Sequence, residues 1–189
     1  MNSSSQKLGR AWNPRLIAYG AMCIALAFVL DLFKLWQMPQ GGSVTPAAML
    51  PLIAFAYAAG FGPGVIVTFA YSLLELIDGS TIIHPIQYLL DYTFSYCAIA
   101  LAAFAARIPV NKRVQLIIGI AFASFGRFFF NSLSGIIFFA QYAPEGQPVV
   151  IYSTLYNSFT LVDGLICAVV SLVPGVDRIT DMIASVRKA

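Results

Sequence analysis

Between residues 16 and 173 the chain is a succession of six apolar runs, each closed by a cluster of proline, glycine or polar residues. The runs cover about 16–36, 46–60, 64–77, 84–106, 114–141 and 149–173, with breaks at 37–43, 60–64, 78–80, 107–113, 143–148 and 174–175. Proline and glycine thus fall where helices stop. Hydrocarbon admits only helices or closed barrels, because every backbone N–H and C=O must be paired within the protein. Barrel strands alternate apolar and polar residues, and these runs do not. The pattern predicts an all-α membrane protein, a single integral membrane domain over 1–189 with six transmembrane helices. Composition agrees: 59% of residues are apolar and 10% charged, against about 25% charged in an average soluble domain. A mean hydropathy of +0.81 excludes disorder as well as a soluble globule. The second and third runs, about 14–15 residues each, are expected to tilt little or to be shielded from lipid. The first is too long for the apolar core of a signal peptide and lacks a cleavage site, so it is expected to be retained.

The location of charge matters more than the net +3. With six spans both termini share one side, which holds Lys7, Arg10, Arg15, Arg107, Lys112, Arg113, Arg178, Arg187 and Lys188. The opposite loops hold only Lys34, and Arg127 lies within a span. Positive loops stay inside, so both termini are expected to be cytoplasmic and the loops around Gly41, Ser80 and Glu145 extracellular. This distribution explains the basic pI without nucleic acid. Cys23, Cys97 and Cys167 are far apart in apolar runs and read as small core residues.

A charge near the bilayer centre costs about 2.5–3.5 kcal/mol on insertion scales, so polar residues inside the runs need a reason. His84, Gln87, Tyr88, Asp91 and Ser95 share one helical face. So do Arg127, Asn131, Ser134, Gly135, Phe138 and Tyr142, and again Ser153, Tyr156, Asn157, Thr160, Asp163 and Gly164. Counted from the outer ends of their helices, Asp91, Asn131 and Asn157 lie about 10, 14 and 12 Å deep. Three polar side chains from three helices share one layer, below Tyr88, Tyr92, Phe138, Phe139, Tyr142 and Tyr152. Aromatic walls around a few convergent polar groups describe a small-molecule pocket open to the outside. A hydrogen-bond network between packed helices is the plainer reading of any single member. Arg127 and Asp163 both lie about 21 Å from the outer ends of adjacent helices, where an ion pair is the cheap solution.

No phosphate-binding loop, zinc-binding helix motif or placeable serine–histidine pair occurs. Neither enzyme activity nor a cofactor or metal is expected. Ala21 and Ala25 form a small-xxx-small pair that permits close helix approach.

Three segments carry a family resemblance: residues 38–44 (MPQGGSV), residues 84–92 (HPIQYLLDY), and residues 134–146 (SGIIFFAQYAPEG) followed by Ile151, Tyr152, Ser153, Tyr156 and Asn157. They resemble the thiamine-specific S components of energy-coupling factor (ECF) transporters. The resemblance runs from the first run to the sixth. It implies an ECF S-component-like bundle in the bacterial cell membrane. Such a subunit binds thiamine and docks on a transmembrane coupling subunit with two ATPase subunits. It carries the family's pocket acid onto Asp91, its helix-six tyrosine and asparagine onto Tyr152 and Asn157, and a pocket aromatic onto Phe139. A histidine of the family falls on Asn131, and the docking face falls on Ala21 and Ala25. With Gly135 and Tyr88 from the striped faces and Tyr92 from the aromatic layer above Asp91, these are the expected substrate-binding and docking residues. The chemistry suits a thiazolium cation, which aromatic faces bind, beside a carboxylate that it neutralises. The same scaffold would also serve another vitamin, such as riboflavin or a pyridoxine-like ring. A self-sufficient channel or carrier would need a polar path to the cytoplasm, and the stripes give way to Ala, Ile and Leu toward 98–106 and 165–173.

Overall fold

The computed structural model describes residues 13–39, 42–77 and 82–188. Lys7, Arg10, Gly41 and Ser80 lie outside the described residues. Helix α1 spans Pro14–Asp31 and starts at Asn13, whose side chain accepts the Leu16 N–H at 2.7 Å, with Pro14 at the first helical position. The run continues to residue 36, but the helix does not. Beyond Asp31 the chain turns into strand β1 (Trp36–Gln37), which pairs antiparallel with β2 (Ser43–Val44). A short apolar stretch reads alike in a helix and a strand. Here the hairpin pairs backbone groups outside any helix, as Leu35 N–H does with Val44 C=O at 2.9 Å.

Helix α2 (Met49–Ala59) is apolar on every side, and ten of its eleven residues are buried, so the other helices shield it from lipid. Helix α3 (Phe61–Leu74) follows after one residue, Gly60, at φ +95°. The sequence places a loop over 60–64, but Pro63 sits in the first turn of α3, where its missing N–H would have no partner anyway.

Helix α4 (Pro85–Arg107) starts at His84, whose Nδ1 accepts the Ile86 N–H. It is not one uniform helix. Residues Leu89–Phe94 are wound as a π-helix and Ala98–Arg107 as a 3₁₀-helix. Helix α5 (Lys112–Phe138) is capped by Asn111 and ends in a single turn over Ala140–Tyr142. Helix α6 (Val149–Ser171) is interrupted at Ser158, between Val149–Asn157 and Phe159–Ser171. Four of these helices, α1, α4, α5 and α6, are long and apolar enough to cross a membrane. At ~1.5 Å per residue α2 and α3 are shorter than a hydrocarbon core of about 30 Å.

A further helix, α7 (Val176–Lys188), lies past the last apolar run. Its Ile183 is fully buried, and it packs on α1 and α2. The Val186 C=O accepts from Asn13 Nδ2 at 2.8 Å, Asp177 pairs with Arg113 at 2.9 Å, and Asp181 pairs with Lys112. Arg187 lies against Gly60. The start of α1, the α2–α3 turn, the start of α5 and α7 are therefore gathered at one end of the bundle. The β-hairpin and the His84–Phe138 stack, with centroids 5.3 Å apart, lie at the other.

Candidate substrate-binding cavity

At the hairpin end the helices enclose a cavity of about 190 Å³. Its walls come from the end of α1, the hairpin, the start of α2, the end of α3, the first half of α4, the second half of α5 and the first half of α6. Seven of the eight expected substrate-binding residues line it: Asp91, Tyr92, Asn131, Gly135, Phe139, Tyr152 and Asn157. Tyr88 does not. Its hydroxyl donates to the Ser72 C=O at 2.8 Å, and its ring stacks on Tyr92. The π-helical turn explains the departure, because more residues per turn rotate the face that a 3.6-residue repeat would keep in line. Phe138 and Tyr142 are likewise absent from the lining.

The polar groups are held in defined positions. Asp91 Oδ2 accepts from Gln87 Nε2 at 2.6 Å, one helical turn earlier, and Gln87 Oε1 accepts the Ile83 N–H at 3.2 Å. Asn157 Nδ2 donates to the Ser153 C=O at 2.9 Å, and Ser153 Oγ donates to the Ser132 C=O at 2.7 Å, which ties α6 to α5. Asn131 Oδ1 is buried and accepts no hydrogen bond among the described residues. A buried acceptor left open costs free energy unless a ligand or water donates to it. Phe139, Tyr152, Tyr156 and Phe159 supply ring surface, with Gly42 of the hairpin loop seated on the Phe159 ring.

Arg127 and Asp163 both line the cavity but do not form the expected ion pair. Asp163 Oδ1 accepts from the Thr45 N–H at 3.0 Å and from Thr45 Oγ1 at 2.9 Å. The Arg127 guanidinium lies 4.3 Å from the Tyr96 ring centroid and donates from Nε to Ser95 Oγ at 3.3 Å. The reason is strand β2, which packs on α6 and brings Thr45, the residue after it, onto Asp163 from outside the helical register. Sequence reasoning also missed Asp31, Lys34, Tyr71 and Glu75, which line the cavity from α1, the α1–β1 connection and α3. A signal existed for the acids: Asp31 and Glu75 are carboxylates inside apolar runs, subject to the same cost that singled out Asp91. Around this cavity, carboxylates, amides and aromatic faces converge, a set suited to a small aromatic cation with hydrogen-bonding edges. Among the described residues no group of three or more His, Cys, Asp or Glu is placed to hold a metal ion.

Residues 17–181 match the model of the family described as Thiamine transporter protein. The chain is 33% identical over 183 residues to a protein of Bacillus subtilis named Thiamine transporter ThiT, covering 90% of this chain and 91% of that one. A protein of the same name from Lacticaseibacillus paracasei is 25% identical over 122 residues, covering 58% and 61%. The solved structure of ThiT from Listeria monocytogenes superposes with a TM-score of 0.71 at 22% identity, covering 89% of this chain and 99% of that one, and so shares its fold. With most of its length matched, the chain belongs to the Thiamine transporter protein family, multi-pass transporters of the cell membrane rather than enzymes.

Proposed function

We propose that the chain is the thiamine-binding S component of an ECF importer, holding thiamine in the cavity at the hairpin end. The observation that carries the reading is the meeting of the Asp91 carboxylate, the open Asn131 acceptor and the Phe139–Tyr152 aromatic wall in one cavity. The aminopyrimidine offers donors and acceptors to Asp91, Asn131 and Asn157, and the thiazolium lies against ring faces. Binding a cation there also relieves buried negative charge.

The chain crosses the membrane six times as one domain, with both termini cytoplasmic and the cavity open to the outside. Two observations support this. The ends gathered by α7 fit an even number of passes. Arg15, Arg107, Lys112, Arg113, Arg178 and Arg187 lie at or near that end and Lys34 near the other, as the positive-inside rule requires. Ala21 and Ala25 face outward on α1 beside exposed Met22, Leu26 and Val29, while Leu16, Gly20, Cys23 and Ala27 face the bundle. That outer face docks the transmembrane coupling subunit, whose two ATPases drive release to the cytoplasm. Calorimetry on the purified chain with thiamine, riboflavin and pyridoxine tests the ligand. Saturable thiamine binding that the other two do not displace is expected, and binding of either in its place would reassign the site.

A further inference from the structure

The outward side of α4 and α5 carries a second, shallow groove, lined by Leu101, Phe104, Phe122, Phe125, Phe129 and Phe130 around Gly126. It shares no residue with the hairpin-end cavity. Phe125 and Phe129 are each 61% exposed. From residue 122 to residue 130 the α5 wall runs about 12 Å along the helix. At the α7 end of the groove the Arg107 guanidinium lies 5.3 Å from the centroid of the Phe104 ring, one of its walls.

The cations at this end are not equivalent. Lys112 and Arg113 are held by Asp181 and Asp177 of α7. Arg107 is exposed, and among the described residues no carboxylate pairs with it. A guanidinium with one face on an aromatic ring keeps its N–H edge free, and that edge matches a phosphate. A phenyl-lined trough ending beneath an unneutralised guanidinium has the polarity of a phospholipid, with its acyl chain below and its phosphate above. A partner helix would cover the rings but would need an acid of its own for Arg107. We propose that this groove binds an anionic phospholipid, with an acyl chain along the phenylalanines of α5 and the headgroup phosphate on Arg107.

The test is native mass spectrometry of the full chain in mixed micelles with equal dioleoylphosphatidylglycerol and dioleoylphosphatidylcholine. The unmodified chain should retain one phosphatidylglycerol in clear preference. Arg107→Gln should lose that preference by roughly tenfold, the effect of removing one charge-assisted contact. Phe125→Ala with Phe129→Ala should lower retention of both lipids. All these side chains are exposed, so the thermal midpoint in detergent should stay near that of the unmodified chain and report intact folding. Equal retention of the two lipids by the unmodified chain overturns the proposal without reference to any variant. So does an undiminished preference in Arg107→Gln. If the phenylalanine variant keeps its lipids but no longer assembles with coupling subunits, the groove belongs to a partner helix and the lipid site falls.

Discussion

In the proposed site, Asp91 is the carboxylate assigned to the ligand. Gln87 holds its carboxylate, and the Ile83 backbone holds Gln87 in turn, so the acid is aimed before any ligand arrives. Asp91→Asn keeps the shape and removes the charge. Thiamine binding should weaken by about 1.5–3 kcal/mol, one to two orders of magnitude in Kd. Calorimetry on the variant reads this directly, and unchanged affinity would take Asp91 out of the site. The second residue-scale prediction concerns Asp163, whose Oδ1 takes two hydrogen bonds from Thr45. Thr45→Val removes one of them beside a buried carboxylate and should cost about 1–3 kcal/mol of stability. A double-mutant cycle with Asp163→Asn should return a coupling of about 0.5–3 kcal/mol, as expected for groups in contact. Additive losses in thermal unfolding would show that the contact carries no energy.

At the scale of elements, the cavity depends on how closely α5 and α6 approach. A Cβ on Gly135 would collide with Ser153 Oγ and come within 3.0 Å of Asn157 Nδ2. Ser153 cannot swing aside without losing its bond to the Ser132 C=O. Gly135→Ala should therefore separate the helices at the cavity wall, cost about 1–3 kcal/mol and weaken thiamine binding together with stability. Gly62→Ala is the matched control, since nothing lies within 4 Å of its Cβ. A Gly135→Ala protein as stable and as tight-binding as that control would refute the close-packing argument. On α1 the outward alanines make a different forecast. Ala21→Trp and Ala25→Trp add bulk to an exposed face, so thiamine binding should persist while uptake is lost in cells that carry the coupling subunit and ATPases. Intact uptake in both variants would end the docking assignment. Joint loss of folding and binding would instead place the alanines in internal packing.

Over the whole molecule, α7 is the element that ties the other end together. It reaches the start of α1, the α2–α3 turn and the start of α5. The two ion pairs are solvent-exposed and screened, so they add little, and the anchor is Ile183, fully buried in the core shared with α2. Ile183→Ala should cost about 2–5 kcal/mol by loss of apolar contact and the cavity left behind. Thermal unfolding in detergent measures it, and a loss no larger than that of removing both ion pairs would make α7 a passenger. The cavity lies at the opposite end, so affinity at low temperature should change little.

The sequence by itself determined that this chain is a bundle of apolar helices, where most of them begin and end, and which faces of α4, α5 and α6 turn inward. Those properties are local: lipid forbids unpaired backbone, proline and glycine stop helices, and a stripe at helical spacing points one way. The segments from 38 to 157 carried the family resemblance for the same reason, since they need no neighbour to be read. What tertiary structure decided was everything set by approach between distant segments. The π-helical turn in α4 leaves Tyr88 on Ser72 and out of the cavity lining. The end of the first apolar run becomes one strand of a hairpin, and Thr45, just past the other strand, takes Asp163 from Arg127. Glu75 and Asp31 join the cavity from helices that carry no polar stripe. The short amphipathic stretch after Gly175 becomes a helix because Ile183 finds a core to enter. Periodicity describes one helix at a time, whereas a hydrogen bond or a buried side chain takes whichever partner packing delivers.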